Sequence, residues 1–212
     1  EDLAQKANST GARFLLLSHM RGHIVDMDKL MSIVHAKNLI LIEDCAHTMG
    51  AKWRQKKSGN FGLAACFSTQ TYKHLNSGEG GLITTDNAEF MARSIILSGS
   101  YMFYERHGAA PESEVFSDIR LQTPNYSGSM DNLRAAILRP QLNSLEINIK
   151  RWNKRYQIVE QKLQKVTGVV LPKRPNKEFY VGSSIQFRIP EISHTKAIKF
   201  IEANKQLGVE IK

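Results

Sequence analysis

Short apolar runs alternate with amphipathic or polar stretches along residues 13–86 of the chain. Between the first two runs, residues 27–36 place apolar side chains at helical spacings of three and four, and Asp26 stands where it can cap the first turn. Strand, helix and strand in succession predict an α/β fold whose mostly parallel sheet is flanked by helices. The four runs predicted as strands are RFLLLS (13–18), LILIED (39–44), LAACFS (63–68) and GGLITTD (80–86).

The rest of the chain has helical patterning at both ends of a long polar stretch. Residues 87–97 predict a helix, whereas residues 101–132 lose all periodicity and predict a long loop. From Leu142 to Val166, apolar residues recur at alternating steps of three and four, which predicts one long helix packed along its own protein. A free-standing coiled coil is the alternative.

Two further elements follow and suggest a division of the chain. Residues 181–190 predict a strand and residues 195–206 a helix. We therefore expect a main α/β part in residues 1–130. Residues 131–212 would hold the long connecting helix and part of a smaller α+β domain.

The charge balance is strongly basic. The chain carries 29 Lys and Arg against 20 Asp and Glu, a formal charge of +9. Clustered cations would neutralise the phosphates of a nucleic acid, but the densest stretches, KWRQKK (52–57) and KRWNKR (150–155), predict a short exposed connection and the polar face of a helix. We expect no nucleic-acid partner and assign the charge to solvated surface or to attraction of an anionic substrate.

Composition also bears on location. No apolar run approaches the roughly 20 residues that cross a bilayer, and the N-terminus lacks the layout of a signal peptide. We therefore expect a cytoplasmic protein without a membrane partner. Cys45 and Cys66 stand inside apolar segments, and we expect both to be buried and reduced.

Polar residues collect at the ends of two predicted strands. Glu43 and Asp44 end one strand, Ser68 ends another, and Lys73 follows soon after. Ligands of open α/β sheets bind beyond the carboxyl ends of the strands, so acid, hydroxyl and amine would converge on one crevice. There the lysine could serve as a nucleophile. Simpler alternatives are a turn-capping Asp44, a Ser68 that bonds backbone and a surface Lys73.

The segment EDCAHTMGAKWRQKKSGNFGLAACFSTQTYKHLNSGEGG carries a family pattern: an acidic pair, a small residue, a Gln or His, Gly-Ala, and later a Ser, a Lys and GEGG. Asp44 precedes Lys73 by 29 residues, and Ser68 precedes it by five. The segment resembles the DegT/DnrJ/StrS aminotransferases, and the resemblance continues through MDNLRAAILRPQL. It implies the aspartate-aminotransferase-like fold (fold type I) and pyridoxal 5'-phosphate (PLP) as cofactor. The implied reaction moves an amino group from glutamate or glutamine to a keto sugar or related keto compound.

The resemblance implies roles for five residues. Lys73 would form the Schiff base with PLP and shuttle the reacting proton, and Asp44 would keep the pyridine nitrogen protonated. His47 would lie near the ring and its phenolic oxygen, with a core histidine as the alternative. Ser68 would bind the phosphate. Ser129 lies in PNYSGSMDN, the loop that in relatives reaches the partner subunit's cofactor phosphate, which implies a homodimer.

Three residues after the first predicted strand, His19, Arg21 and His23, have the spacing of metal ligands. No carboxylate or thiolate cluster accompanies them in the sequence, so we expect no metal site. The resemblance instead places His19 and Arg21 where they would touch an anionic substrate.

The resemblance covers a PLP-binding major domain without its N-terminal part and only part of the small domain. We therefore expect residues 1–212 alone to be inactive and to bind PLP weakly. One alternative function is a sugar dehydratase that uses PLP or pyridoxamine phosphate, but such relatives typically replace the lysine with histidine, so Lys73 argues against it. Another is an inactive remnant of the PLP fold, favoured by the serines at 127 and 129, where relatives often carry Asn or Arg.

Overall fold

The computed structural model describes residues 2–99 and 102–211, and a four-stranded sheet lies at its centre. The sheet has the order β1-β2-β5-β6, in which the first three strands are parallel and β6 is antiparallel to β5. A small antiparallel sheet has the order β4-β3-β7. The mostly parallel α/β fold is therefore confirmed. The strands are β1 (Phe14–Ser18), β2 (Ile40–Asp44), β3 (Lys52–Trp53), β4 (Lys56–Lys57), β5 (Ala64–Ser68), β6 (Gly81–Thr84) and β7 (Glu178–Phe179).

Four of the described helices begin where a polar side chain caps the first turn. Asp26 accepts a hydrogen bond from the Lys29 amide at the start of α2, and Asn87 does the same for the Phe90 amide at the start of α3. The long helix predicted from the apolar seam is α5, which has 32 residues. No helix among the described residues is long and apolar enough to cross a membrane. The helices are α1 (Asp2–Thr10), α2 (Met27–Ala36), α3 (Ala88–Ser98), α4 (Phe116–Gln122), α5 (Asn132–Leu163) and α6 (His194–Gln206).

The larger hydrophobic core lies between the sheet, α2 and α5. Met27 and Val34 of α2 are buried together with Leu41 of β2 and Ile149 of α5. Trp53, inside the predicted exposed connection, is only 2% exposed and belongs to the same core. Helix α5 therefore packs along its own protein, as predicted.

The strand register brings the carboxyl ends of the parallel strands to one edge of the sheet. Ser18 at the end of β1 lies opposite Asp44 at the end of β2, and Asp44 lies opposite Cys66 of β5. Side chains at the end of one parallel strand can therefore contact the turn that follows the adjacent strand.

Two predictions of local structure were wrong, and one was incomplete. Residues 52–57 form the β3–β4 hairpin, in which residues 54–57 are exposed as predicted but Trp53 is buried. The predicted loop at 101–132, of which Tyr101 lies outside the described residues, contains α4, whose Phe116 and Ile119 pack against α3. Residues 181–190 form no strand; only Arg188 makes a β-bridge, to Val170.

Candidate active site

Asp44 ends β2 with both carboxylate oxygens already oriented. Its Oδ1 accepts the Ala46 amide at 3.0 Å, and its Oδ2 accepts the Ser18 hydroxyl at 2.9 Å. The first bond is a local turn contact of the kind predicted as the simpler alternative. The second comes from the end of β1, because the parallel register brings the two strand ends side by side. Asp44 is partly buried, and the two hydrogen bonds fix the plane of its carboxylate.

Lys73 lies in a compact loop that joins β5 to β6. The Thr69 amide donates to the Gly80 carbonyl and the Ser77 amide to the Thr69 carbonyl, each at 2.9 Å. The buried hydroxyls of Thr69 and Ser77 lie 3.1 Å apart. The backbone of this loop, residues 69–80, is thus closed on itself, and Lys73 is held in a turn by the bond from its amide to the Gln70 carbonyl at 2.9 Å.

The side chains of Lys73 and His47 meet at the centre of the candidate site. Lys73 Nζ lies 3.1 Å from His47 Nε2. Burial lowers the pKa of His47, and the positive charges of Lys73 and Arg21 lower it further, against the opposing charge of Asp44. A neutral imidazole can accept a hydrogen bond from the lysine ammonium, which would place the ring proton of His47 on Nδ1. Lys73, Arg21 and Asp44 therefore all lie close enough to His47 to act on its charge.

Ser68 ends β5 at the same edge of the sheet. Its hydroxyl oxygen accepts the Gln70 amide at 3.2 Å, as in the simpler alternative for this residue. A hydroxyl that accepts one bond still has its proton to donate. The phosphate-binding role of Ser68 stays a prediction.

Ser129 is exposed and lies in a loop. A Cβ added at Gly99 would lie 3.8 Å from the Ser129 hydroxyl and 3.5 Å from Ser127 Cα. Among the described residues, no hydrogen bond joins Ser129 to Asp44, His47 or Lys73. Its role toward a partner subunit stays a prediction.

The prediction that His19 touches a substrate was wrong. His19 is 1% exposed, and its Nε2 lies 3.2 Å from Glu43 Oε2. The Glu43 carboxylate also accepts the amides of Gly59, Phe61 and Gly62 at 3.0, 2.7 and 3.1 Å. The pair thus fixes the loop before β5 from inside the protein. Arg21, by contrast, is exposed.

Cys45 completes a buried group with His19 and Glu43, in which one ligand atom of each lies within 4.8 Å of the others. The hydrogen bonds of Glu43 account for its burial without an ion, and burial raises the pKa of the Cys45 thiol to about 12. Cys45 is buried as predicted, but Cys66 is exposed, and that prediction was wrong.

Two residues of this region were not predicted from the sequence. Ser18 could have been found by the same argument as Asp44, because it ends a neighbouring parallel strand. His74 follows Lys73, and its Nε2 lies 2.8 Å from the Ser183 hydroxyl. No sequence pattern signals that contact, because Ser183 comes 109 residues later in the chain.

Known proteins resemble this chain in sequence. GDP-perosamine synthase of Caulobacter vibrioides is 32% identical over 148 residues, which are 70% of this chain and 37% of that protein. L-glutamine:2-deoxy-scyllo-inosose aminotransferase of Micromonospora echinospora is 32% identical over 136 residues, which are 62% of this chain and 31% of that enzyme. The chain thus spans about a third of the length of these curated relatives.

Solved structures resemble the fold. GDP-4-keto-6-deoxy-D-mannose-3-dehydratase of E. coli, with bound hydrated PLP, matches with a TM-score of 0.82 and 20% identity over 99% of this chain and 55% of its own. AtS13 of Actinomadura melliaura matches with a TM-score of 0.78 and 24% identity over 98% of this chain and 54% of its own. At these identities the likeness establishes the fold.

The family model of the DegT/DnrJ/EryC1/StrS aminotransferases matches residues 2–211, nearly the whole chain. The match includes Asp44, Lys73 and the glycine-rich turn at the carboxyl edge of the sheet. The chain belongs to the DegT/DnrJ/EryC1/StrS aminotransferase family.

Proposed function

We propose that the whole protein is a PLP-dependent aminotransferase that moves an amino group from glutamate or glutamine to a keto sugar or related keto compound. Family membership supports the reaction class, and the names of the relatives supply the sugar and the glutamine. The observation that carries the proposal is the contact of Lys73 Nζ with His47 Nε2 at 3.1 Å, within electrostatic reach of Asp44.

The donor set fits PLP. A pyridinium nitrogen needs a carboxylate acceptor, and Asp44 presents one whose Oδ2 is engaged only by the Ser18 hydroxyl among the described contacts. That hydroxyl can rotate to another acceptor, so the pyridinium would replace a neutral donor with a charged one. Ser68 has a proton to offer a phosphate oxygen, and Lys73 offers the amine.

Bound PLP would supply an electron sink for the charge left when the substrate loses its α-proton. Asp44 would hold the pyridine nitrogen in its protonated form. Lys73 would bind the cofactor through Nζ and carry the proton between the substrate carbon and the cofactor carbon. His47, kept neutral by burial and by the charges of Lys73 and Arg21, would accept a hydrogen bond from Lys73 and orient its Nζ.

The proposal extends to a homodimer in which Ser129 donates a hydrogen bond to the phosphate in the partner's site. The exposed position of the loop that carries Ser129 supports this assignment. The serine hydroxyl would contribute a hydrogen bond without a charge, so the cross-subunit contact would be weaker than one from arginine.

The proposal is tested on the whole protein, with glutamate or glutamine as donor and a keto sugar as acceptor. We expect Lys73→Ala to lower turnover by about 10²-fold to 10⁴-fold or more, because the proton carrier is lost. Borohydride should attach the cofactor to Lys73 of the unmodified protein, detected by peptide mass spectrometry, and should attach none to the variant. Lys150→Ala, which changes an exposed lysine of α5, is the control. Full turnover in Lys73→Ala would refute the assignment.

A second variant tests the role of Asp44. Asp44→Asn should retain cofactor but lose most turnover, because a neutral amide cannot hold the pyridinium proton.

The reaction products of the unmodified protein separate the alternative functions. Loss of a sugar hydroxyl as water, with no amino group gained, would identify the dehydratase instead. Absence of any cofactor attachment to the unmodified protein would identify the inactive remnant. Residues 1–212 alone are expected to give neither turnover nor a tight PLP complex.

A further inference from the structure

His74 connects the Lys73 loop to two distant parts of the chain. Its Nε2 lies 2.8 Å from the Ser183 hydroxyl, and its ring centroid lies 5.3 Å from that of Trp152 in α5, tilted by 54°. The His74 side chain thus connects the loop that carries Lys73 to helix α5 and to the segment that follows β7.

A second contact joins the same loop to the same helix. The side chain of Gln141 in α5 accepts the Asn76 amide at 3.0 Å and donates to the Asn76 carbonyl at 2.7 Å. Between the two contacts, Leu75 is 1% exposed. The loop is therefore fixed to α5 on both sides of Leu75, while Lys73 itself contacts His47.

The surroundings of His74 require an uncharged imidazole. Its Nδ1 is buried and has no hydrogen-bond partner among the described residues, so a proton there would be left unpaired. Burial first, and then electrostatic interactions with His47 and Lys73, lower the pKa of His74 to about 4. Ser183 and Trp152, which face the ring from the other elements, carry no charge. At neutral pH the ring therefore adds no positive charge beside Lys73.

We propose that His74 is a positioning residue that joins the Lys73 loop to α5 and to the Ser183 segment, and thereby holds Lys73 Nζ against His47. The coupling itself is independent of cofactor; its consequence for turnover rests on the proposed function. Because Ser183 and Trp152 lie in the C-terminal half of the chain, any displacement of that half would be transmitted to Lys73 through His74.

The proposal predicts that the two interactions of His74 can be removed one at a time. His74→Phe keeps an aromatic ring against Trp152 and loses the hydrogen bond. His74→Gln keeps a donor that can reach Ser183 and loses the ring. Ser183→Ala removes the partner at an exposed position, where misfolding is not expected. His35→Gln, at an exposed histidine of α2, is the matched control.

The first readout is hydrogen–deuterium exchange in the whole protein without cofactor. We expect His74→Phe and Ser183→Ala to speed amide exchange in residues 69–80 by about tenfold, the effect of one lost hydrogen bond, while exchange in β2 is unchanged. His74→Gln should restore slow exchange in part, and His35→Gln should match the unmodified chain.

The second readout reports the position of Lys73 and would not respond to a general loss of stability. An NMR titration of His47 should show its pKa rising toward the ordinary value in His74→Phe and Ser183→Ala, because the charge of Lys73 moves away. Lys73→Met gives the reference value without that charge. Unchanged loop exchange and an unchanged His47 titration in both variants would overturn the proposal. Neither readout needs cofactor, so this outcome is distinct from failure of the aminotransferase assignment.

Discussion

Glu43 is a carboxylate that the protein interior keeps charged. Burial by itself would raise its pKa, but hydrogen bonds from His19 and from the amides of Gly59, Phe61 and Gly62 outweigh burial and lower the pKa below 4.5. Removing one partner of such a buried pair lowers the free energy of unfolding by more than the intact pair adds to it. The reason is that the remaining groups lose their hydrogen bonds inside the protein.

We predict that Glu43→Gln lowers the free energy of unfolding by about 2–4 kcal/mol at pH 7. The lowered pKa means that the charged form stabilises the fold above the ordinary pKa of 4.5, and that this contribution is lost as the pH falls through the folded-state value. The gap between unmodified chain and variant in urea unfolding should therefore narrow in acid. Glu146→Gln, an exposed position on α5, should stay within about 0.5 kcal/mol. Equal stability of Glu43→Gln and the unmodified chain at pH 7 would contradict this account.

The sequence allowed individual site residues to be predicted because they stand at or just after the ends of predicted strands. Asp44, Ser68 and Lys73 could be predicted to share one edge because parallel strands end at the same edge of a sheet. The burial of His19 could not be predicted, since it depends on a bond to Glu43, which lies on a neighbouring strand. The exposure of Cys66 was missed because an apolar segment does not show which face of its sheet is covered.

Among the described glycines, Gly62 in the segment before β5 leaves the least room for a side chain. A Cβ added at Gly62 would lie 2.3 Å from the carbonyl oxygen of Leu41 in β2. The Leu41 carbonyl is part of the main chain of β2, and the added Cβ would be bonded directly to the main chain of residue 62. Neither can move aside without displacing backbone. Gly108 lies in a loop where an added Cβ would meet nothing within 4 Å.

We predict that Gly62→Ala lowers the free energy of unfolding by about 3 kcal/mol, whereas Gly108→Ala leaves it unchanged or raises it by about 0.5 kcal/mol. Neither glycine has a positive φ, so the two substitutions differ in available space rather than in backbone strain. Thermal unfolding followed by circular dichroism would measure both. A Gly62→Ala protein as stable as Gly108→Ala would show that β2 and the 59–62 segment can separate at little cost.

Elements with strong periodicity were predicted, and elements held by tertiary contacts were not. The apolar seam of α5 was enough to predict a long helix, because its spacing of three and four residues persists over many turns. Helix α4 has seven residues and buries Phe116 and Ile119 against α3, so its stability comes from packing rather than pattern. The β3–β4 hairpin was not predicted because its sequence is mostly charged and only one of its residues, Trp53, is buried.

At the scale of the whole molecule, β1 is an edge strand of the central sheet that exposes apolar side chains. Among the described residues it pairs with β2 alone. Phe14 is 61% exposed and Leu16 is 68% exposed on one face of this edge strand. A long apolar edge offers both hydrogen-bonding groups and apolar surface to another chain.

We predict that the 212-residue chain associates as its concentration rises and that Leu16→Lys suppresses this association, because charge on an edge strand opposes pairing. Leu121→Lys is the control, since Leu121 is 81% exposed on α4 and far from any strand edge. Light scattering across a wide concentration range measures the mass of each. Association that persists unchanged in Leu16→Lys would place the contact elsewhere.

The parallel register of β1 also sets an order of events during synthesis. Phe14 pairs with Ile40, and the Ser18 hydroxyl bonds to Asp44, 26 residues further along the chain. At a translation rate of about 5–20 residues per second, β2 would emerge from the ribosome about 1–5 s after β1. During that interval Phe14 and Leu16 are available to the chaperones that bind nascent chains.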